Sequence, residues 1–361
     1  MKITDLTIDK HELWNEFCLA SNDAWFWHTT GWLDYCEAYG KEKFQTRNLS
    51  FMLADDTGTV AVCPLLIERT KKENEIERAE FSTAGSGGFG ISPALRNDLS
   101  EDRKDKILKE IFEKVDELAK DNQVARAVFR SNPLAVNKAE FNFLIKYGYL
   151  DHSSNTQIID LTLPLEKLWG NLRKGHKYDV NRGKKHYQTH IYDNNNADKN
   201  VFDQYRLLHH KAAGRVTRPV ETFEMMYQWI KNGEGMLCGV SREGKFAGFS
   251  YICLYKDAAY YGSASDDPEF VTDVPLSHVV QWAVIEWLKD NGYKKYEIGL
   301  QQFGPQPHDI PSPKDLSISF FKRGFGGKTI PLFRGVKYYD QEFMKKELDE
   351  KLRMLVANYG V

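Results

Sequence analysis

Apolar and polar positions along the chain follow two rhythms, and their order is informative. In Glu101–Asp121 the apolar residues Ile107, Ile111, Val115 and Leu118 recur at helical spacing, which predicts one amphipathic helix. Before it, Asn48–Asp55 and Thr59–Arg69 are apolar, β-branched runs split by Asp56-Thr57-Gly58, the pattern of two strands joined by a tight turn. A third short run, Glu77–Thr83, leads into Ala84-Gly85-Ser86-Gly87-Gly88. After the helix come a predicted strand at Val124–Arg130, a helix at Val136–Tyr147 and a strand at Thr156–Leu163. The predicted order is β-β-β-α-β-α-β.

The second half repeats it. Gly235–Arg242 and Lys245–Tyr255 read as a hairpin about Glu243-Gly244, and Ala258–Ser265 as a third strand. Pro275–Asn291 has Leu276, Val279, Val280, Ala283, Val284 and Trp287 along one helical face. A strand at Lys295–Gly299, a helix at Pro313–Gly324 and a strand at Thr329–Arg334 complete the second β-β-β-α-β-α-β. Between the halves, Pro164–Asn232 reads as helical, broken at Asn194-Asn195-Asn196 and Arg218-Pro219, and Gln341–Asn358 is a closing helix. Such a large-period repeat constrains the fold strongly. It is the element order of GNAT acyltransferases, so the expected class is α/β (α+β), with two tandem GNAT-like domains, each a mixed sheet flanked by helices. The expected division is 1–160 and 161–361, with the closing helix 341–358 free to pack back onto the first domain.

Composition narrows the functional classes. A net charge of −2 over 361 residues excludes a uniformly basic nucleic-acid binder, while leaving room for a local basic patch. The opening MKITDLTIDKHELWNEF lacks the apolar centre of a signal peptide. No apolar run reaches the roughly 20 residues needed to span a bilayer. Cys18, Cys36, Cys63, Cys238 and Cys253 are widely spaced with no C-x-x-C, so neither a disulfide framework nor a zinc site is expected. A reduced, cytoplasmic protein is the expectation.

Four stretches carry candidate chemistry. In Ser319-Phe320-Phe321-Lys322-Arg323-Gly324-Phe325-Gly326-Gly327, aromatic rings beside Lys322 would lower the local dielectric and strengthen its action on an oxyanion. Gly324 suits a helix end, and Gly326 and Gly327 allow close backbone approach. Arg173, Lys174, Lys177, Arg182, Lys184 and Lys185 face one acid, Asp179; they form either a phosphate-binding stripe for tRNA or a nucleotide-linked acceptor, or a solvated helix face. Arg215 and Arg218 lie in the loop His209–Pro219 and offer forked donors for phosphate or carboxylate, unless the loop is an ordinary exposed turn. Asp266-Asp267 follows a tyrosine-rich strand and could orient an amine. His186 and His190 lack a third ligand, so no metal is expected. Gln302–Pro313 reads as a loop at a cleft edge. A pyrophosphate-binding Q/R-x-x-G-x-G/A turn fails at Gln301-Gln302-Phe303-Gly304-Pro305-Gln306 and fits only in part at Arg323–Lys328. This disfavours acetyl-CoA.

Several segments in order resemble the FemAB family of peptidoglycan-bridge aminoacyltransferases. They are Tyr260-Tyr261-Gly262-Ser263-Ala264-Ser265, Pro275-Leu276 with Trp282 and Trp287 in the helix that follows, Asn291-Gly292-Tyr293-Lys294-Lys295-Tyr296-Glu297-Ile298-Gly299, and Phe320–Gly327. The helix Leu168–Val180 is similar to the stretch opening that family's second domain, and Gly87-Gly88 is a weaker parallel. The resemblance covers about Leu165 to Tyr339. It implies tandem GNAT-like domains with a substrate cleft at or near their junction, an aminoacyl-tRNA donor and a peptidoglycan-precursor amine as acceptor. Lys322 matches the lysine of the family's F-K-x-G-F motif, placed to stabilise the transferring carbonyl. Arg215, Arg218, Tyr261, Asp266, Phe321, Gly326 and Gly327 are the expected substrate-binding residues, and Arg173, Lys174, Lys177 and Arg182 the expected tRNA or phosphate contacts. No cofactor is implied, because the acyl donor is itself a substrate; the acceptor would be a small or lipid-linked precursor, and oligomeric state has no sequence signal. The long coiled-coil arm of some members has no counterpart. Two rival readings stand: an acyl-CoA-dependent N-acyltransferase acting on an amino sugar or surface-polysaccharide precursor, and a non-catalytic binding module for phosphorylated sugar precursors.

Overall fold

A computed structural model describes residues 1–70, 78–136, 140–270 and 272–359. The chain folds into two compact units: Met1–Asn155 with Gln302–Lys314 and Pro331–Val361, and Thr156–Gln301 with Asp315–Ile330. In chain order the elements are β1 (Lys2–Asp5), α1 (His11–Ala20), α2 (Thr30–Gly40), β2 (Phe44–Asn48), β3 (Phe51–Asp55), β4 (Gly58–Cys63), β5 (Leu66–Thr70), β6 (Ala79–Phe81), β7 (Gly90–Ile91), β8 (Ala94–Leu95), α3 (Glu101–Asp121), β9 (Val124–Arg130) and β10 (Leu150–Asp151). They continue as β11 (Ser154–Asp160), α4 (Leu165–Asn171), α5 (Lys174–His186), β12 (Gln188–Tyr192), α6 (Lys199–Ala213), α7 (Val220–Lys231), β13 (Gly235–Arg242), β14 (Lys245–Tyr255) and β15 (Ala258–Asp266). The chain ends with α8 (Leu276–Asp290), β16 (Lys295–Gln301), α9 (Pro313–Arg323), β17 (Lys328–Leu332), β18 (Arg334–Tyr338) and α10 (Gln341–Tyr359).

In the first unit the run predicted as one strand, Thr59–Arg69, divides at Pro64 into β4 and β5. Proline has no N–H to donate, so the ladder stops there. β4 pairs with β3 in a sheet ordered β1-β3-β4-β8, whereas β5 joins β2 and β6 in a second sheet, β10-β18-β9-β6-β5-β2. The predicted strand at Glu77–Thr83 shortens to β6, and Glu77 itself lies outside the described residues. Helix α3 buries Ile107, Ile111, Phe112 and Val115 in one core with Val124, Ala127 and Phe129 of β9. The helix predicted at Val136–Tyr147 is a single 3-10 turn at Phe143–Tyr147, capped by the Asn142 side chain and ended by Gly148 at φ +82°, while 137–139 lie outside the described residues.

The division expected at residue 160 differs from the one observed. Residues from 331 onward belong with the first unit. The physical reason is that β18 pairs antiparallel with β9, from Arg334↔Arg130 to Tyr338↔Arg126. Helix α10 is tied to the same strand: Arg126 donates from Nε to Glu80 at 2.6 Å and from Nη1 to Glu347 at 2.8 Å.

The second unit is built on a sheet ordered β12-β13-β14-β15-β16-β11-β17. Helix α8 buries Leu276, Val279, Val280, Trp282, Val284, Ile285 and Leu288 against it. β12 falls inside the stretch read from sequence as helical. It pairs with β13 from Gln188↔Ser241 to Tyr192↔Leu237, and the alternation of Thr189 and Ile191 with polar neighbours is a strand rhythm. Among the described residues no helix is long and apolar enough to cross a membrane. The five cysteines are buried and unbridged.

Glu347→Ala is expected to leave the Arg126 guanidinium with one carboxylate instead of two. Loss of a charged hydrogen bond in a half-buried place should lower stability by about 1–3 kcal/mol, read by urea unfolding, with faster amide exchange in α10 than elsewhere.

Candidate active site

The arrangement around Lys322 follows from the pleat of β16. Residues 297, 299 and 301 share one face of the strand, because side chains alternate along it. The end of α9 lies over that face. Arg323 Nη1 donates to Gln301 Oε1 at 3.0 Å, and Lys322 Nζ stands 3.0 Å from the point where a Cβ on Gly299 would be. Gly299, at φ +100°, therefore leaves the space that the ammonium occupies. Beside it Glu297, 1% exposed, accepts from Thr156 Oγ1 at 2.7 Å. The Tyr261 ring centroid is 5.9 Å from Lys322 Nζ. Burial pushes the Lys322 ammonium below its ordinary value, and the Glu297 carboxylate opposes that shift. A cation stripped of part of its water acts more strongly on a developing negative charge.

The sheet opens beside this lysine. β15 and β16 pair in parallel only at Ala258↔Lys295, Ala259↔Tyr296 and Tyr260↔Glu297. The ladder ends there, although β15 runs on to Asp266 and β16 to Gln301. Backbone groups that no ladder satisfies seek other partners, so the parting of two strands beside a half-buried ammonium is a natural seat for an acyl group. Tyr261 is the first residue of β15 beyond the ladder, and burial pushes its phenol up to about 12.

The turn that follows Lys322 is held by its own neighbours. His176 Nε2 bonds the Phe321 carbonyl at 2.8 Å, and a side chain on Gly324 would collide with that imidazole. A side chain on Gly326 would meet Asn171, and one on Gly327 the Ile158 carbonyl; both glycines have φ above +80°. The close approach expected of Gly326 and Gly327 is thus to the protein itself. The N–H groups of Gly324, Phe325 and Gly326 donate to the carbonyls of Phe321, Lys322 and Arg323 at 2.9, 3.2 and 3.1 Å, so these three are spoken for within the helix end.

His176 belongs to a cluster with His278, Phe321 and Phe325. The two imidazoles are 4.5 Å apart, edge to face. His278 Nε2 lies 3.8 Å from Asp179 Oδ2, and its Nδ1 is buried with no hydrogen-bond partner. Burial holds both rings below the ordinary histidine value, His278 at about 4 with His176 beside it contributing. At neutral pH both are neutral, and His176 in its Nε2–H form donates to Phe321.

The other predicted residues are dispersed. Phe321 packs against the same core as Phe325. Asp266 is exposed, and its Oδ2 accepts from Ser277 at 2.8 Å. Arg218 lies with its guanidinium carbon 4.4 Å from the Phe223 centroid and donates to the Tyr205 hydroxyl at 3.4 Å. Tyr205 in turn bonds Ser263. Arg215 is exposed just past α6.

The expected basic stripe is partly committed. Arg182 pairs with Asp273 at 2.6 Å, Lys184 with Glu286 at 2.9 Å, Lys177 bonds the Gly170 carbonyl at 2.9 Å, and Arg173 stacks on Phe320 at 3.6 Å. Lys174 remains on the exposed face. Among the described residues no cluster of three metal-ligating side chains forms. Sequence reasoning passed over Glu297, Gly299 and His176. An acid inside the apolar strand Tyr296-Glu297-Ile298 was the available signal for the first.

Residues 170–307 match the model of the acetyltransferase (GNAT) domain family. No curated protein sequence matches significantly. Among solved structures, FemX superimposes with a TM-score of 0.64 at 13% identity, over 96% of this chain and 100% of that one. L-PGS from Bacillus licheniformis gives 0.53 at 13% identity over 88% of this chain and 96% of that one. A tandem GNAT protein from the clavulanic acid biosynthesis pathway gives 0.51 at 11% identity over 93% and 98%. Fold and family model agree: the chain has the tandem GNAT-like fold, and the acetyltransferase (GNAT) domain match lies within its residues 170–307. The fold superimposes on that of FemX over nearly the whole chain.

Gly324→Ala should destabilise by about 1–3 kcal/mol through overpacking against His176. Removing the ring as well, in Gly324→Ala with His176→Ala, should cost less than the sum of the two single changes. Urea unfolding of the four proteins measures the coupling; strict additivity would mean that the imidazole does not fill the space next to Gly324.

Proposed function

We propose that this protein transfers an aminoacyl group from an aminoacyl-tRNA to an amine of a cell-envelope precursor of the peptidoglycan type, acting from the cytoplasm. The observation that carries the reading is the Lys322 ammonium, half-buried against Gly299 beside the point where β15 and β16 part. The family resemblance of Phe320–Gly327 supports it, and so do FemX and L-PGS as structural neighbours.

In this mechanism the neutral acceptor amine attacks the ester carbonyl of the charged tRNA. A C–N bond forms, and the carbonyl oxygen gains the negative charge that the Lys322 ammonium stabilises. When the intermediate collapses, the C–O bond to the ribose breaks and the ribose oxygen leaves as a hydroxyl, taking up the proton lost by the amine. A phosphate of the substrate or a neighbouring acid carries that proton across. Glu297 opposes the burial that lowers the lysine's proton affinity and so favours its charged form. Positioning of two bound substrates supplies much of the acceleration. Arg215, Arg218, Tyr261 and Asp266 are the side chains assigned to substrate, and Arg173, Lys174 and Lys177 to tRNA phosphates. Arg182, committed to Asp273, would have to exchange that partner for a phosphate.

The test is product formation by mass spectrometry with bulk charged tRNA, acyl-CoA and envelope-precursor extract, with and without RNase. RNase-sensitive product supports the aminoacyl reading. RNase-insensitive, acyl-CoA-dependent product overturns the donor and favours an acyl-CoA N-acyltransferase, and binding without any product favours a non-catalytic module. Lys322→Ala should lower turnover about 10²–10³-fold with unchanged unfolding cooperativity. Because burial lowers the pKa of Lys322 below its ordinary 10.5, its charge is lost as pH rises through the lowered value. The rate should therefore climb as the acceptor amine deprotonates, then decline at a pH below the ordinary lysine range. An alkaline limb unchanged in Lys322→Arg would detach that decline from this side chain.

A further inference from the structure

Gln281 is a polar side chain set into an apolar helix face. It is 0% exposed on α8, which otherwise buries Val279, Val280, Trp282, Val284 and Ile285. A buried amide is costly unless its groups are bonded, so the partners of Gln281 show what it is for. Its Oε1 accepts from the Tyr296 hydroxyl at 2.7 Å, and its Nε2 donates to Ser250 Oγ at 3.4 Å. Tyr296 is 0% exposed and Ser250 3%.

The register of the sheet brings Tyr261 to the same place. Ser250 and Ile252 project from one face of β14, because side chains alternate along a strand, and Tyr261 of β15 is the partner of Ile252. Burial raises the Tyr261 phenol to about 12, and side-chain hydrogen bonds from Ser250 and Gln281 oppose that rise. Bonds donated to a phenol oxygen act in this direction, since they favour its ionised form.

The bonds therefore run one way. A carbonyl oxygen only accepts and an amide nitrogen only donates. The proton of Tyr296 is used on Gln281, and the N–H groups of Gln281 are used on Ser250 and Tyr261. The Tyr261 oxygen ends the chain as an acceptor, which turns its own O–H outward. Tyr261 is the first residue of β15 past its ladder with β16, and its ring centroid is 5.9 Å from Lys322 Nζ.

We infer that Gln281 and Ser250 are positioning residues that hold the Tyr261 hydroxyl as a hydrogen-bond donor to an oxygen of the acyl substrate, beside Lys322. This role rests on reading the parting of β15 and β16 as the acyl site. It adds a polarity to that reading: the group that meets Tyr261 is a carbonyl or ester oxygen, and not the N–H of the incoming amine. A donor oriented in advance needs no rearrangement at the moment of reaction.

Initial rates with the donor found in the product search test the role. Tyr261→Phe should lower kcat about tenfold to a hundredfold and Gln281→Leu about tenfold, each with KM within about twofold of the wild type. Both changes remove the same oriented donor, so Gln281→Leu combined with Tyr261→Phe should be no slower than Tyr261→Phe alone. A double variant slowed by the product of the two single effects overturns the role, as does a Gln281→Leu effect confined to KM or to unfolding. If Gln281→Leu does not fold, Ser250→Ala takes its place in the same comparison. A readout without substrate separates this role from the acyl reading. In tyrosine-labelled protein, the Cζ resonance of Tyr261, assigned by its loss in Tyr261→Phe, should shift in Gln281→Leu. That shift in a protein that forms no product supports the hydrogen-bond chain and sinks the acyl reading alone. An unchanged resonance overturns the chain whatever the activity.

Discussion

The second unit depends on accommodating one ammonium against a strand. Lys322 reaches Gly299 because that position has no side chain, and a Cβ there would come within 3.0 Å of the ammonium, which would have to give way. The same face supplies Glu297, two residues along, whose charge counters the desolvation that the lysine suffers. Burial, the missing Cβ and the opposing carboxylate are therefore one constraint. A more exposed lysine would be easier to keep charged and weaker as an electrophile, while a more buried one without Glu297 would lose its proton.

Much of the surrounding architecture fixes the turn that carries Lys322. His176 reaches across from α5 to the Phe321 carbonyl, Arg173 donates from its backbone to the Gly324 carbonyl at 2.9 Å, and Gln157 of β11 donates to the Gly326 carbonyl. These partners lie on separate segments, and His176 fills the place where Gly324 has no side chain, as Asn171 and Ile158 do at Gly326 and Gly327. The glycines thus act indirectly on the position of Lys322. They let α9 end tightly against α5 and β11, which holds the lysine at a fixed depth.

Buried charge is handled in several ways in this chain. Arg126 has two carboxylates and ties α10 to the first unit. Lys322 has a carboxylate within electrostatic reach and a half-open surrounding suited to a transient negative charge. Arg130 keeps its Nε buried without a hydrogen-bond partner, its guanidinium set against Trp27. Reading each buried charge against its partner separates structural from ligand-directed roles better than burial alone does.

The sequence by itself determined the periodic elements and the repeat. Helix 101–121, strand 124–130 and the hairpin 235–255 stand where their patterns put them, because local spacing of apolar residues fixes both period and buried face. Lys322 and its aromatic neighbours were legible too, since an odd composition at a helix end shows in one dimension. Tertiary structure decided what depends on residues distant in the chain. Pro64 divides a run between two sheets, β12 becomes a strand by pairing with β13, and the slot beside β9 draws β18 away from the half that precedes it. Glu297, Gly299 and His176 acquire meaning only when α9 is laid across them. Sequence encodes the rhythm of each segment locally, but the partner of a charge or the space left by a glycine is set by long-range packing.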